Sequence, residues 1–204
     1  MSKIKLPHAS GNSVSIAAPE SNPASDRTLY VPSNANGTIL TTTSPKAGNI
    51  LQVKQTYKSD TFTSESATFV DVTGLQCSIT PTSSSSKILI TANVHTAAES
   101  WQYGSVAFKI VYASDNTNYA DIALPTGTAS TIGHMSQQLY SNGASNTEHN
   151  HSHLSWSYLH SPSTTNEIGY KVQGRLQLAG SWWVNRSAAA YYATSSITLM
   201  EVAG

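Results

Sequence analysis

The sequence predicts an all-β protein in two parts, a short β-stem over residues 1–45 and a β-sandwich head over 50–204, joined by a linker at 46–49. Three observations predict it. From residue 50 onward apolar residues recur at every second position, runs of Gly, Pro, Asn, Asp and Ser punctuate that alternation, and no window repeats apolar residues at i, i+3, i+4 and i+7. Helices are therefore not expected anywhere.

The stem contains tiny alternating pieces: Ile4-Lys5-Leu6, Val14-Ser15-Ile16 and Leu29-Tyr30-Val31, followed by Gly37-Thr38-Ile39-Leu40. Turn formers fill every gap, as in Ser10-Gly11-Asn12, Pro19-Glu20-Ser21-Asn22-Pro23 and Pro32-Ser33-Asn34. Ordering such a segment costs roughly 1 to 2 kcal/mol of backbone entropy per residue. Each buried Val, Ile or Leu returns about 1.5 to 3 kcal/mol, so one chain falls short. Several identical chains wound together multiply the apolar contacts and let strands find partners across chains. The stem is thus expected to oligomerise. At the junction of stem and head, Pro45 and Gly48 stop a strand from running through.

In the head, the alternation places strands at 50–58, 68–80 with a break near Gly74, 87–96, 105–113, 153–160, 168–178 and 196–202, with shorter ones at 121–124, 133–139 and 182–185. Over 87–96 the inward set is Ile88, Ile90, Ala92 and Val94; over 105–113 it is Val106, Phe108, Ile110 and Tyr112. Both strands are expected to be half buried. Turns fall at 82–86, 114–118, 125–128, 141–143 and 161–165. About eight to ten strands suit a two-sheet sandwich.

Composition narrows the function. Charged residues make up 11%, less than half the usual fraction. Solubility therefore rests on the hydroxyls and amides of abundant Ser, Thr and Asn, as in exposed extracellular or virion β-proteins. Eleven basic and eleven acidic residues cancel, so no summed field favours nucleic acid, which is not an expected partner. The amino terminus has no continuous apolar run, so neither a signal peptide nor membrane insertion is expected. The single cysteine, Cys77, alternates with Leu75 and Ile79 and is expected inward as a small core hydrophobe.

The stretch LPHASGNSVSIAAPESNPASDRTLYVPSNANGTIL, over 6–40, resembles the amino-terminal or stalk segment of bacteriophage fibre proteins. A second resemblance, to the carboxy-terminal β-rich domain of marine phage fibres, is carried by ILQVKQTYKSDTF, FVDVTGLQCSITPTSSSSKILI, SPSTTNEIGYKVQ, WVNRS and SSITLMEVAG. The matching positions are turn formers and alternating apolar residues. They specify architecture, so function follows by analogy alone. What the resemblance implies is a homotrimer with a short intertwined trimeric β-stem and a jelly-roll-like β-sandwich head. It further implies an external virion fibre assembled in the host cytoplasm, mounted on a phage tail or capsid protein through the stem, tail mounting being preferred. Its head would bind a host-surface glycan or protein; a purely structural capsid decoration or adaptor is the alternative.

Three groups of residues are candidates for chemistry. His149, His151 and His153 alternate in Glu148-His149-Asn150-His151-Ser152-His153. On a strand, residues two apart share a face about 6 to 7 Å apart, a gap that two imidazoles close over one ion. Phage fibres of the resembled kind hold an axial iron with such pairs from three chains. No cofactor is otherwise expected. The plainer reading is a polar loop over 141–152 with solvated imidazoles, because the fibre sites lie in slender stems whereas this run enters the head.

Aromatic residues cluster late, and sugars bind on ring faces. Trp156, Tyr158 and Tyr170 alternate with apolar neighbours and read as core or protomer interface. Trp182 and Trp183 point to opposite faces of a strand, so one is expected to be exposed or covered by a neighbouring subunit. Trp101 and Tyr103, in the loop at 98–104, complete the receptor-contact candidates. Catalysis is not expected: acidic residues are few and scattered, Glu99, Asp115 and Asp121 lie in or beside loops that could meet at one end of a sandwich but read more simply as ordinary N-cap and Asx-turn formers, and no hydrolase, zincin or phosphate-loop motif is present. Glycosylation-type triplets at Asn36, Asn150 and Asn185 are what chance gives in a chain this rich in Asn and Ser.

Overall fold

The structure, a computed structural model of the chain, describes residues 3–7, 10–11, 13–17, 45–98, 105–115, 117–126, 133–138, 151–177, 180–187 and 191–204. It divides into two compact units, Met1–Ile39 and Leu40–Gly204.

In the first unit, β1 (Lys3–Pro7) and β2 (Ser13–Ala17) form an antiparallel two-stranded sheet in which Ile4 lies opposite Ile16 and Leu6 opposite Val14. Gly11, at a φ of 97°, takes the left-handed backbone that the intervening turn requires. These two pieces therefore pair with each other within one chain. A lone two-stranded hairpin is marginal in water. The pieces at 29–31 and 37–40 lie outside the described residues.

The second unit is a β-sandwich. Its strands are β3 (Ile50–Lys58), β4 (Phe62–Ser64), β5 (Val70–Ile79), β6 (Lys87–Ala98), β7 (Ser105–Ala113), β8 (Ala120–Asp121), β9 (Met135–Gln138), β10 (His151–His160), β11 (Ile168–Leu176), β12 (Trp182–Val184) and β13 (Ser195–Val202). One sheet runs β3-β13-β6 with β10 on the far edge of β6; the other runs β5-β11-β7 with β9 on the far edge of β7. Every pairing is antiparallel. Setting aside the short β4, β8 and β12, the layers read first-eighth-third-sixth and second-seventh-fourth-fifth in chain order. That connectivity is the jelly roll.

The linker is partly absorbed into this unit. Asn49 N–H bonds the Lys46 carbonyl across a turn with Gly48 at a φ of 89°, and Gly48 and Asn49 already exchange backbone bonds with Ala203. The break near Gly74 is a bulge: pairing to β11 slips between Lys171 and Gln173, and Gly74 sits at a φ of 81°. β4 is a strand that the sequence pattern does not reveal, since Phe62-Thr63-Ser64 offers a single apolar residue.

The core fills from both sheets as the alternation requires. Ile88, Ile90, Ala92 and Val94 of β6 face Val106, Phe108 and Ile110 of β7 and Ile168, Tyr170 and Val172 of β11, all fully buried. The expectation for β7 is corrected on one point, because Ala107, Val111 and Ala113 on its other face are buried as well. Cys77 packs against the core from an intermediate position, and burial raises its thiol pKa, which keeps it protonated.

The Trp182-Trp183 pair is a second correction. β12 is flanked by β6 on one side and β4 on the other, and both rings are covered within one chain: Trp182 is fully buried and Trp183 is 8% exposed. Trp182 lies against Phe62 at 5.3 Å and edge-on to Phe108 at 5.5 Å between ring centroids. It fits there because β11 carries Gly174, where a Cβ would stand 2.5 Å from the indole and 2.7 Å from the Phe108 ring. Gly174→Ala is therefore expected to overpack the core at a cost of about 1 to 3 kcal/mol, lowering the melting temperature by roughly 3 to 10 °C, measurable by calorimetry.

Two core-flanking histidines are held neutral. The Ile110 N–H donates to His134 Nδ1 at 2.8 Å, so Nδ1 is unprotonated and Nε2–H donates to the Ile122 carbonyl at 2.5 Å. His160 Nδ1 bonds the Tyr170 hydroxyl at 2.9 Å and packs edge-on to Tyr112. Burial depresses both imidazole pKa values. The unfolded chain titrates near 6.5, so the stability these groups contribute is complete above about pH 6.5 and lost as pH falls through their lower folded values. Thermal melts are expected to be flat from pH 8 to 7 and to fall progressively below pH 6, with a shallower fall in His134→Gln.

Candidate functional site

The strongest site in the described residues lies where one edge of β6 changes partner. β13 pairs with β6 from Val202 opposite Lys87 to Ser196 opposite Asn93, and β12 takes over from Val184 opposite Thr96. Between them, at His95, the ladder is carried by other groups: the Ser195 hydroxyl accepts from His95 N–H at 3.0 Å, and Asn185 N–H donates to the His95 carbonyl at 3.0 Å. The chain from 185 to 195 leaves the sheet through this gap.

Asn185 anchors that excursion. It is fully buried in the left-handed region, φ 64°, which Asn tolerates better than most residues. Its Nδ2 donates to the carbonyls of Lys58 at 2.8 Å and Asp60 at 2.9 Å, its Oδ1 accepts from Ser195 Oγ at 2.6 Å, and its carbonyl accepts from Ala193 N–H at 3.0 Å. Lys58, buried beside it, pairs with Asp60 at 2.8 Å, and that bond holds the Asp60 carboxyl below its ordinary pKa. With both amide atoms engaged inside the protein, Asn185 is no glycan acceptor.

The anchored segment presents two rings. Tyr191 and Tyr192 are 59% and 72% exposed. Their backbone is fixed by Ser187 N–H to the Tyr191 carbonyl at 3.1 Å and by a bridge between Tyr192 and Arg186. Together with His95, His151 and Ala193 they line a concavity of about 370 Å³. His151 meets Tyr191 edge-on at 5.8 Å, and His153 stacks on His95 at 4.5 Å between centroids. Burial first, then the neighbouring His153 and His151, lowers the His95 pKa, so this ring is neutral at pH 7. Four rings, two imidazoles and two phenols, at one rim, with no carboxylate among the described residues that line the concavity, make a surface for stacking and hydrogen bonding.

A second concavity, of about 460 Å³, lies around Gly169 and Cys77. Its polar groups are engaged with each other: Ser78 Oγ donates to Glu167 at 2.7 Å, and Lys171 lies 4.0 Å over the Tyr119 ring while pairing with Asp71 at 3.2 Å.

Of the residues singled out from sequence, His151 and His153 fall on exposed positions of β10, while His149, Trp101 and Tyr103 lie outside the described residues. Among the described residues no three His, Cys, Asp or Glu side chains converge in a metal-holding arrangement. Trp156 is half-buried against the core and stacks on His134 at 4.1 Å; Tyr158 is exposed. Asp115 accepts from the Thr117 and Asn118 N–H groups, which hold its carboxyl far below the ordinary range, while Asp121 pairs with Lys109. These two acids serve separate local structures. Among the described residues, no helix is long and apolar enough to cross a membrane.

From sequence, Tyr191 and Tyr192 count only among the late aromatic residues and Asn185 only as a glycosylation-type triplet, while His95 stands out in no pattern. The adjacent tyrosines are a visible signal, but His95 is nearly a hundred residues away and joins them only through the sheet.

No family model and no curated protein matches the chain. Among solved structures it is similar to the VP2 protein of infectious bursal disease virus. The subviral particle is 12% identical with a TM-score of 0.41, over 88% of this chain and 38% of that one. A mutant VP2 in derived T=1 particles is 10% identical with a TM-score of 0.39, over 94% and 42%. The Gx strain is 10% identical with a TM-score of 0.36, over 87% and 47%. The chain spans less than half the length of each.

Asn185→Ala would strand the Ser195 hydroxyl, the buried Lys58 carbonyl and the partly buried Asp60 carbonyl. It is expected to destabilise the head by about 2 to 4 kcal/mol and lower the melting temperature by roughly 5 to 10 °C. Hydrogen exchange should show new opening at 186–194 and at His95, which a merely generalised loss of stability would not localise.

Proposed function

We propose that this chain is a non-catalytic virion surface protein, a homotrimeric phage fibre of the tail, whose jelly-roll head holds a host-surface glycan against the rings of Tyr191, Tyr192, His151 and His95. The observation that carries the reading is the exposed tyrosine pair, fixed on a rigid sandwich by a fully buried asparagine and opening onto a concavity lined by aromatic rings. Recognition sites of this type combine ring faces with a few placed polar groups, on loops that a scaffold positions. Jelly rolls serve both virus particles and lectins. Threefold repetition converts a weak single contact into avidity.

The amino-terminal segment supports the fibre part of the reading through its shortage of apolar mass, and it is the segment through which the fibre would attach to the virion. No metal or cofactor enters the mechanism: the ligand is held by ring stacking and by imidazole and hydroxyl hydrogen bonds, and no bond is made or broken.

Binding of the full chain to host cells and to an array of purified surface polysaccharides tests this. The wild type is expected to be retained, and Tyr191→Ala with Tyr192→Ala to lose at least tenfold in apparent affinity while melting at an unchanged temperature. Equal retention of the double variant would overturn the assigned cleft. Retention of neither protein on any host surface would replace the receptor-binding reading with that of a structural decoration.

A further inference from the structure

The two sheets of the head present unlike outer surfaces. That of β5-β11-β7 carries ion pairs, Lys171 with Asp71 at 3.2 Å and Lys109 with Asp121 at 2.5 Å. On the β3-β13-β6-β10 sheet, register sets Val53, Met200, Leu89 and Leu159 side by side in one row across all four strands. Val202 and Ile50 extend the row at the next outward position. Val53 and Ile50 are 53% and 52% exposed, and Leu159 is 44% exposed. An in-register apolar stripe of this kind on a solvated sheet marks an interaction surface.

Three features say what covers it. The adjacent row, Gln55-Thr198-Thr91-Ser157, is polar, but its groups bond one another: Gln55 Nε2 donates to Thr198 Oγ1 at 2.8 Å, and the Thr91 and Ser157 hydroxyls bond at 3.1 Å. Covering these groups costs little, because their hydrogen bonds are made within the sheet. Outward positions of the four strands hold no Asp or Glu, and their single Lys or Arg is Lys87 at the margin. Along the apolar row and the polar row beside it a charged partner would find no counter-charge, and a glycan would find polar groups already bonded to one another. Finally, four strands about 4.8 Å apart and some 25 Å of strand length give about 500 Å² per side, enough for the roughly 1,000 Å² total of a specific interface.

What fits a flat, uncharged, internally bonded face is the same face of another copy. We infer that copies of this chain meet through the outer face of the β3-β13-β6-β10 sheet, with the Val53-Met200-Leu89-Leu159 row turned toward a shared axis. The inference rests on the homotrimeric reading above and adds to it the face that assembles.

The test uses the full chain in a Cys77→Ser background, with Val53→Cys or Met200→Cys on the face and Thr117→Cys in an exposed turn as control. Light scattering gives the mass, and maleimide labelling gives access. A mass of three chains is expected, with the face cysteines labelling at least tenfold more slowly than the control, and Val53→Asp is expected to dissociate the assembly while leaving the fold intact by circular dichroism. An assembled protein whose face cysteines label as fast as the control would overturn the assigned face and leave the trimer to other residues. A monomer would overturn the trimer reading itself, and slow labelling in that monomer would mean that another segment of the same chain covers the face.

Discussion

The head is built around β6, and the constraint that governs it is that one edge of this strand must serve two partners. Along its other edge β6 pairs with β10 over ten successive residues. On the divided edge β13 stops at Asn93 and β12 begins at Thr96, which would leave the His95 backbone groups unbonded inside the protein. Unbonded buried amides are too costly to persist. Ser195 Oγ and Asn185 N–H take the places of the missing strand. Because the substitutes come from the two ends of the 185–195 excursion, closing the ladder and projecting Tyr191 and Tyr192 are one event.

The same economy of polar groups recurs in the buried interior. Glu201 is fully buried yet carries a carboxylate: burial pushes its pKa up, but bonds from Thr82 N–H at 2.6 Å, Thr82 Oγ1 at 2.7 Å and Gln52 Nε2 at 2.7 Å outweigh that and hold it below the ordinary value. It ties the turn after β5 to β3 and β13. Lys58 and Asn185 do the corresponding work at the opposite end of β3. A chain with only 11% charged residues thus places some of its few charges inside, as clamps between strands. Its hydroxyls and amides meet the solvent.

Much of this fold is legible in the sequence because alternation is a direct physical record of a two-faced strand. β3 and β7 begin and end at the residues where their apolar alternation begins and ends, and Gly74 marks its bulge because a left-handed backbone favours glycine. What stays hidden is hidden for definite reasons. Phe62-Thr63-Ser64 is a strand only because Trp182-Trp183-Val184 lies beside it. Opposite orientations of Trp182 and Trp183 follow from pleating, but the burial of both is set by tertiary packing such as that of Phe62 and Phe108 on Trp182. Ala107 and Val111 occupy positions that look solvent-facing until the outer covering of β7 exists. The cleft is the least legible part, since it joins His95, His151 and Tyr191 through sheet register, which no local pattern encodes. Asn185 was visible only as a glycosylation-type triplet, and its left-handed backbone is what reveals it as an anchor.

The two surfaces proposed for the head sit at different heights on one sheet. The apolar row crosses β6 at Leu89 and the ring-lined cleft meets it at His95, six residues apart, which at about 3.3 Å per residue is roughly 20 Å. Copies packed around the row would each carry one cleft, and the clefts would be repeated around the axis at fixed spacing. Rigidity matters here more than affinity at any one cleft. Several weak contacts add up only when their geometry is set in advance, and the buried clamps at Asn185 and Glu201 set it by fixing the strands that carry both surfaces.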